Sequence, residues 1–320
     1  MEKALAGSFA LFLAVGTLLV FIEPRPNEGL PLVVEKQVET QTATVLFGGD
    51  IFFDRSIRST MNERGGDFIF SCMRETLEGV DFAVANLEGP ITDNVSVSEG
   101  SAPGSVENFR FTFPPSTAKL LAEHNIALVN LGNNHILNFG YEGAAATEKY
   151  LGAANVEFFG DPEIQSAKAV HIHDVPLAFI NYNEFLPKDI GSARGSAEAA
   201  LAHIAKAKQE GYLPIVYTHW GVEYATTSTP YNQALAHEFI DAGAVLVVGS
   251  HPHVVEESEK YNGATIYYSL GNFIFDQYFS DDVTHGLLLK VVFEEGGIKT
   301  ISEIPTVLSK DRRTCPTAWH

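Results

Sequence analysis

Cysteine is scarce in this sequence: 320 residues contain two, Cys72 and Cys315, far apart along the chain. Two thiols exclude a disulfide framework and a thiolate-rich structural zinc site. They leave open a single bridge in an oxidising compartment or two unrelated side chains. Positive charge is the second shortage. Lys and Arg number 21 against 40 Asp and Glu, a formal net charge of −19. A field of that sign repels phosphate backbones, so no nucleic acid is expected as a partner. It suits either an acidic soluble surface or a protein that gathers divalent cations. The composition of a disordered chain is also missing, since 45% of the residues are apolar and 19% charged. That balance fits a folded protein of one large domain or two modest ones. No internal repeat is present.

What is there begins with a long apolar run. Ala4 to Ile22 is 19 residues without a charge, close to the ~20 needed to span a bilayer. Lys3 precedes it and acidic residues follow, which agrees with a cytoplasmic N-terminus. The run ends in Leu-Leu-Val-Phe-Ile-Glu-Pro with no small pair placed for cleavage. Residues 1–23 are therefore expected to be an uncleaved N-terminal membrane anchor, a transmembrane helix, in preference to a cleaved signal peptide. The rest of the chain would stand outside the cytoplasmic membrane. Residues 24–42, rich in Pro, Glu, Gln and Thr, read as a linker with a short strand around Leu32–Val34. The folded domain is expected over 43–305 and a C-terminal tail over 306–320.

Strand-like apolar runs fall at 43–47, 82–85, 127–131, 156–158, 177–181, 215–218, 245–248, 265–268 and 287–293. Helix-like segments lie at 55–63, 68–77, 116–124, 142–152, 196–210 and 231–241, with Ser116 and Ser196 as candidate N-caps. Residues 93–108 read as a long surface loop. The alternation predicts an α/β protein, an α+β sandwich of central mixed β-sheets flanked by helices, with an antiparallel part late in the chain.

Polar residues cluster directly after these strands. Gly48-Gly49-Asp50, Asn86-Leu87-Glu88 and Gly132-Asn133-Asn134-His135 follow the first three, and Thr218-His219 through Glu223 and Gly249-Ser250-His251-Pro252-His253 follow two later ones. Ligands of open α/β sheets sit beyond the carboxyl ends of the strands. His251 and His253, two apart on an extended segment, share one side. Any one of these residues alone would read as a cap, a turn residue or a satisfied core histidine; jointly they predict a shared metal site. His171, His173, His203 and His237 lie elsewhere, and His124, His285 and His320 are read as structural or surface residues. Carboxylate, amide and imidazole without thiolate suit one or two divalent ions, manganese or zinc before iron or magnesium. A carboxylate such as Glu88 could bridge a pair of them. Paired metals lower the pKa of a bound water toward neutrality and polarise an ester oxygen.

At GGD, ANLEGPIT, LGNNHILNFG, THWGVEY, GSHPHVVE and YYSLGNFIFDQ the sequence resembles the bacterial capsule-synthesis CapA family, from about Thr44 to Phe293. That family is similar in fold to the calcineurin-like metallophosphoesterases. The resemblance implies metal ligands at Asp50, Asn134, His219, His251 and His253, with Glu88, and Asn86 beside it, in the place of the bridging acid. It implies His135 as proton donor or transition-state stabiliser, and Asn86, Asn133, Glu223 and Asn272 as supporting or substrate-binding residues. Two positions depart from the phosphoesterase pattern. Asp50 is followed by Ile51-Phe52 where Asp-x-His is common, and Asn138 stands where the CapA family often has an aspartate. The implied role is that of a membrane-anchored component for poly-γ-glutamate or a related anionic envelope polymer, working with other membrane subunits. The alternative is a metal-dependent phosphoesterase or other hydrolase of an envelope substrate, and the blandest reading is a metal that only stabilises the fold.

Overall fold

The computed structural model describes residues 41–163, 167–186 and 192–317, all within a unit that runs from Thr40 to His320. The expected anchor and the strand expected at Leu32–Val34 lie outside the described residues. Among those described, no helix is long and apolar enough to cross a membrane.

In chain order the elements are β1 (Thr42–Ile51), α1 (Arg55–Arg64), α2 (Asp67–Phe70), α3 (Arg74–Glu78), β2 (Phe82–Leu87), α4 (Ser116–Glu123), β3 (Ile126–Asn130) and α5 (Gly140–Ala153). There follow β4 (Glu157–Phe159), β5 (Lys168–Ile172), β6 (Val175–Asn183), α6 (Ala193–Gln209), β7 (Leu213–His219), α7 (Pro230–Ala242) and β8 (Leu246–Ser250). The last are β9 (Ser258–Tyr261), β10 (Ala264–Tyr267), β11 (Asn272–Ile274), β12 (His285–Glu294), β13 (Gly297–Leu308) and β14 (Thr314–Pro316).

The strands form two sheets. One runs β14-β13-β12-β1-β2-β3-β4, with β11 beside the end of β1; the other runs β5-β6-β7-β8-β10-β9. In the first, β1 to β4 are parallel and β12 to β14 add an antiparallel half; in the second, the central strands are parallel and both edge strands antiparallel. The alternation of a strand's side chains explains why both faces are apolar. On β1, Val45 and Phe47 point between the sheets, toward Leu177, Phe179, Ile215 and Val248. Leu46 points the other way and joins Ile57, Phe70, Leu77, Leu121 and Leu151 under the early helices. On the far side, Ile180, Val216 and Val247 meet Ile204, Leu235 and Phe239 of α6 and α7. The result is four layers, helix on sheet on sheet on helix, which is the predicted sandwich. Phe179 lies at its middle, with ring centroids 6.1, 5.9 and 6.0 Å from those of Phe47, Phe82 and Phe159.

Several expectations are corrected. The helix expected over 68–77 is divided into α2 and α3, and the turn between them carries Cys72, which is bonded to Cys315 in β14. Part of the expected tail is instead sheet: 306–308 complete β13 against β12, and Thr314–Pro316 pair with β13 as β14. Neither expected cap is one. Ser116 already lies inside α4, behind Pro115. Helix α6 starts earlier than expected, where the Ser192 hydroxyl accepts from Gly195 N. Ser196 is buried in that helix and its hydroxyl accepts from the Asn183 N–H, at 3.0 Å, joining α6 to β6. Strands β5, β9, β11, β13 and β14 were not expected as strands. Three residues of β11 or β14 make too short a run, β5 and β9 alternate half-buried with exposed positions, and β13 is half-buried or exposed along most of its length. Backbone pairing to a neighbour, not an apolar run, defines them.

Candidate metal centre

The parallel strands deliver their C-terminal residues to one edge. Asp50 on β1 is in register with Asn86 on β2 and with Asn272 on β11, and His219 on β7 faces Ser250 on β8. Backbone crowding there leaves no room for side chains: a Cβ on Gly49 would stand 1.8 Å from the Gly271 oxygen, and one on Gly249 1.8 Å from that of Tyr268.

Two groups of donors meet at this edge. Asp50, Glu88 and His253 are all buried and offer ligand atoms within 4.8 Å of one another, a set that could hold a metal ion. His253 Nδ1 lies 3.4 Å from Asp50 Oδ2, and its Nε2 3.6 Å from Glu88 Oε1. Beside them, His219 Nε2 is 3.0 Å from Asn134 Oδ1 and 3.2 Å from His251 Nδ1. Asp50 joins the groups: its Oδ1 is 3.9 Å from His219 Nδ1, and its Oδ2 accepts from the His251 backbone N–H at 3.1 Å. His135 Nε2 stands 3.9 Å from Glu88 Oε1.

The supporting residues are placed unequally. Asn86 donates to Asp50 Oδ1 at 2.7 Å, with its Nδ2 3.2 Å from His219 Nδ1. Asn133 donates to Asn86 and to the Leu87 oxygen, and accepts from His135 N and Ile136 N, so it holds the turn that presents Asn134 and His135. Asn272 Oδ1 lies 3.0 Å from His253 Nδ1. Glu223 is exposed, and it acts on Glu88 and His253 only through its charge. Ile51 and Phe52, which follow Asp50, are core residues. Asn138 Oδ1, in place of an aspartate, is 3.1 Å from His135 Nδ1 and still orients that ring.

Burial sets the charge state. It pushes the His219 imidazole well below its usual pKa, His251 down to about 3 and His135 down to about 4. All three are neutral at pH 7 and keep a lone pair, as a metal ligand must. Burial also pulls on His253, but the neighbouring Glu88 and Asp50 charges outweigh it and raise that group to about 9. Glu88 itself is raised well above the carboxylate range by burial. Both Glu88 oxygens are buried with no hydrogen-bond partner. A buried carboxylate without hydrogen bonds is costly, and a divalent cation held with Asp50 and His253 would supply the missing contacts. The donor set therefore fits a metal.

Arg55 and the buried Asn130 and Asn181 were missed in the sequence reading. Arg55 Nη2 pairs with Asp276 Oδ1 at 2.5 Å, and its guanidinium lies over Phe52 and Phe111, 4.6 and 5.1 Å from the ring centroids. Phe111 in turn touches His135, with ring centroids 4.2 Å apart. The available signal was an arginine five residues after the strand-end aspartate, in a chain poor in cations. For Asn130 and Asn181 there was none, because each ends an apolar run like many other polar residues.

The family model for the bacterial capsule synthesis protein PGA_cap matches residues 44–277. The capsule biosynthesis protein CapA of Bacillus anthracis is 30% identical over 257 residues, which cover 76% of this chain and 62% of that protein. The PGA biosynthesis protein CapA of Bacillus subtilis is 28% identical over 256 residues, 75% of this chain and 66% of that protein. The chain thus matches somewhat less than two thirds of either relative's length. The match takes in every strand end that contributes to the centre, as the motif resemblance implied, and this chain belongs to the bacterial capsule synthesis protein PGA_cap family.

Proposed function

We propose that this protein acts outside the cytoplasmic membrane in the biosynthesis or export of poly-γ-glutamate or a related anionic envelope polymer. Its working part would be a centre of one or two divalent cations, with manganese and zinc the best fits to the donors. Asp50, Glu88 and His253 would hold one ion, and Asn134, His219 and His251 would hold or share a second. The observation that carries this reading is Glu88, fully buried with no hydrogen bond to either oxygen, beside His253 and His135 in a chain of the capsule synthesis family. A bound ion would polarise a carbonyl or phosphoryl oxygen and lower the pKa of a water.

The chain's own residues have separable tasks. His135 is neutral and oriented by Asn138, so it can exchange a proton at Nε2. The Cys72–Cys315 disulfide supports an oxidising location, in line with an N-terminal anchor and membrane-bound partner subunits. The test is metal analysis of the purified full chain, followed by manganese-dependent retention of poly-γ-glutamate. Bound metal with polymer retention lost in His251→Ala/His253→Ala supports the reading; no metal, or unchanged retention, defeats it.

The position of His135 beside Glu88 favours a second reading, hydrolysis of an envelope ester, amide or phosphoester. Metal-dependent turnover of aryl phosphates, phosphodiesters or poly-γ-glutamate that disappears in His135→Ala would establish it. A fully metal-loaded protein without turnover would exclude it.

A further inference from the structure

We propose that Asn181, Asn130 and Asn86 form a one-way relay of side-chain amides that aims the Asp50 carboxylate at the metal centre. Asn130 and Asn181 are then positioning residues for a cation they do not touch. The inference rests on the metal-centre reading above and extends it across the interface between the two sheets.

The sense of the relay follows from acceptor chemistry. An ionised carboxylate only accepts, so Asn86 must turn its Nδ2 toward Asp50 Oδ1, 2.7 Å away. That turns the Asn86 oxygen away from the centre, where it accepts from Asn130 Nδ2 at 3.0 Å and Asn133 Nδ2 at 3.2 Å. Asn130 must then present its own oxygen outward, where it accepts from Asn181 Nδ2 at 2.9 Å and from the Gly132 N–H at 3.2 Å. One negative charge thereby dictates the orientation of three amides in series. Hydrogen bonds so aligned polarise one another in a low-dielectric interior.

Topology makes the relay rigid. Asp50, Asn86 and Asn130 are successive partners in register across β1, β2 and β3, whereas Asn181 comes from β6 in the other sheet. All four are buried. The backbone around the relay is stripped of side chains: a Cβ on Gly132 would come within 2.3 Å of the Asn181 amide, and one on Gly160 within 2.6 Å of Asn130 Oδ1. At the far end Asn181 Oδ1 is buried with no hydrogen-bond partner. A leucine there would avoid that unsatisfied oxygen, so packing alone does not account for an amide, while a donor for Asn130 does.

The test is a calorimetric titration of the purified full-length protein with Mn²⁺, alongside its melting temperature in chelator. In Asn181→Leu, Asn130 loses the shorter of the two hydrogen bonds that hold its oxygen outward and keeps only that from the Gly132 N–H, and affinity for Mn²⁺ should fall about 10-fold or more in a protein that is still folded. Asn181→Asp keeps the volume but places an ionised acceptor against Asn130 Oδ1. It sets a second charge in competition with Asp50 for the amide donors and against the Asn130 orientation that the Gly132 N–H supports, and should weaken Mn²⁺ binding at least as much. This near-isosteric variant decides the matter if the leucine variant does not fold. A purely structural amide would lower the melting temperature and leave affinity alone. Wild-type affinity in a folded variant therefore overturns the relay. If wild type itself binds no Mn²⁺, the metal-centre reading fails first and the relay with it.

Discussion

Glu88 shows how a buried acid constrains what its neighbours can be. Neither of its oxygens has a hydrogen bond, and burial drives its pKa up. In Glu88→Gln the neutral amide removes the cost of the buried charge and also removes a metal ligand. Mn²⁺ affinity should drop more than about 10-fold, while the melting temperature in chelator should equal or exceed that of wild type. A metal-free variant that melts well below wild type would show that Glu88 is satisfied without an ion. Glu256 is a second acid held up by burial, to about 8, with no place in the centre. A raised folded-state value means that its contribution is fully present below the ordinary carboxylate pKa and is lost as pH rises through about 8. Glu256→Gln should therefore match wild type in melting temperature near pH 4 and exceed it at pH 9. Thermal scans across that range measure the difference, and a constant offset would refute the assignment.

Elements are held by two different means. The sheets are held face to face by side chains such as Phe179, whose ring meets three others, and truncation to alanine should cost about 3–5 kcal/mol in denaturant unfolding. The short α2–α3 turn and β14 have little apolar surface of their own. Cys72 and Cys315 join them across 243 positions of sequence. Reduction should lower the melting temperature by the equivalent of about 2–5 kcal/mol. The same reductant should have no effect on Cys72→Ser.

For the whole molecule, the decisive feature is that each ligand group draws on both sheets. Asp50, Glu88 and Asn134 follow strands of the first, and His219, His251 and His253 follow strands of the second. An ion shared between them would tie the layers together at one edge. Metal that binds only the folded state adds about 2.7 kcal/mol when free metal is 100 times Kd. Chelator should accordingly lower the melting temperature, and Mn²⁺ or Zn²⁺ should restore it in wild type but not in His253→Ala. Restoration in both would place the ion elsewhere.

The order of strands and helices was legible because an interior strand must be apolar on both faces. Runs such as Val45-Leu46-Phe47 and Leu246-Val247-Val248 therefore mark themselves, and so do Asp50 and His251 at their ends. Residue chemistry likewise determined that any metal would meet carboxylate, amide and imidazole, with no thiolate. Tertiary structure alone decided which of these atoms face each other. It also joined Cys72 to Cys315, made strands of β5, β9, β13 and β14, and brought Asn181 from one sheet against Asn130 of the other. The physical reason is range. Periodicity and burial act over a few neighbouring residues, whereas convergence depends on how two twisted sheets stack, and no local pattern encodes that.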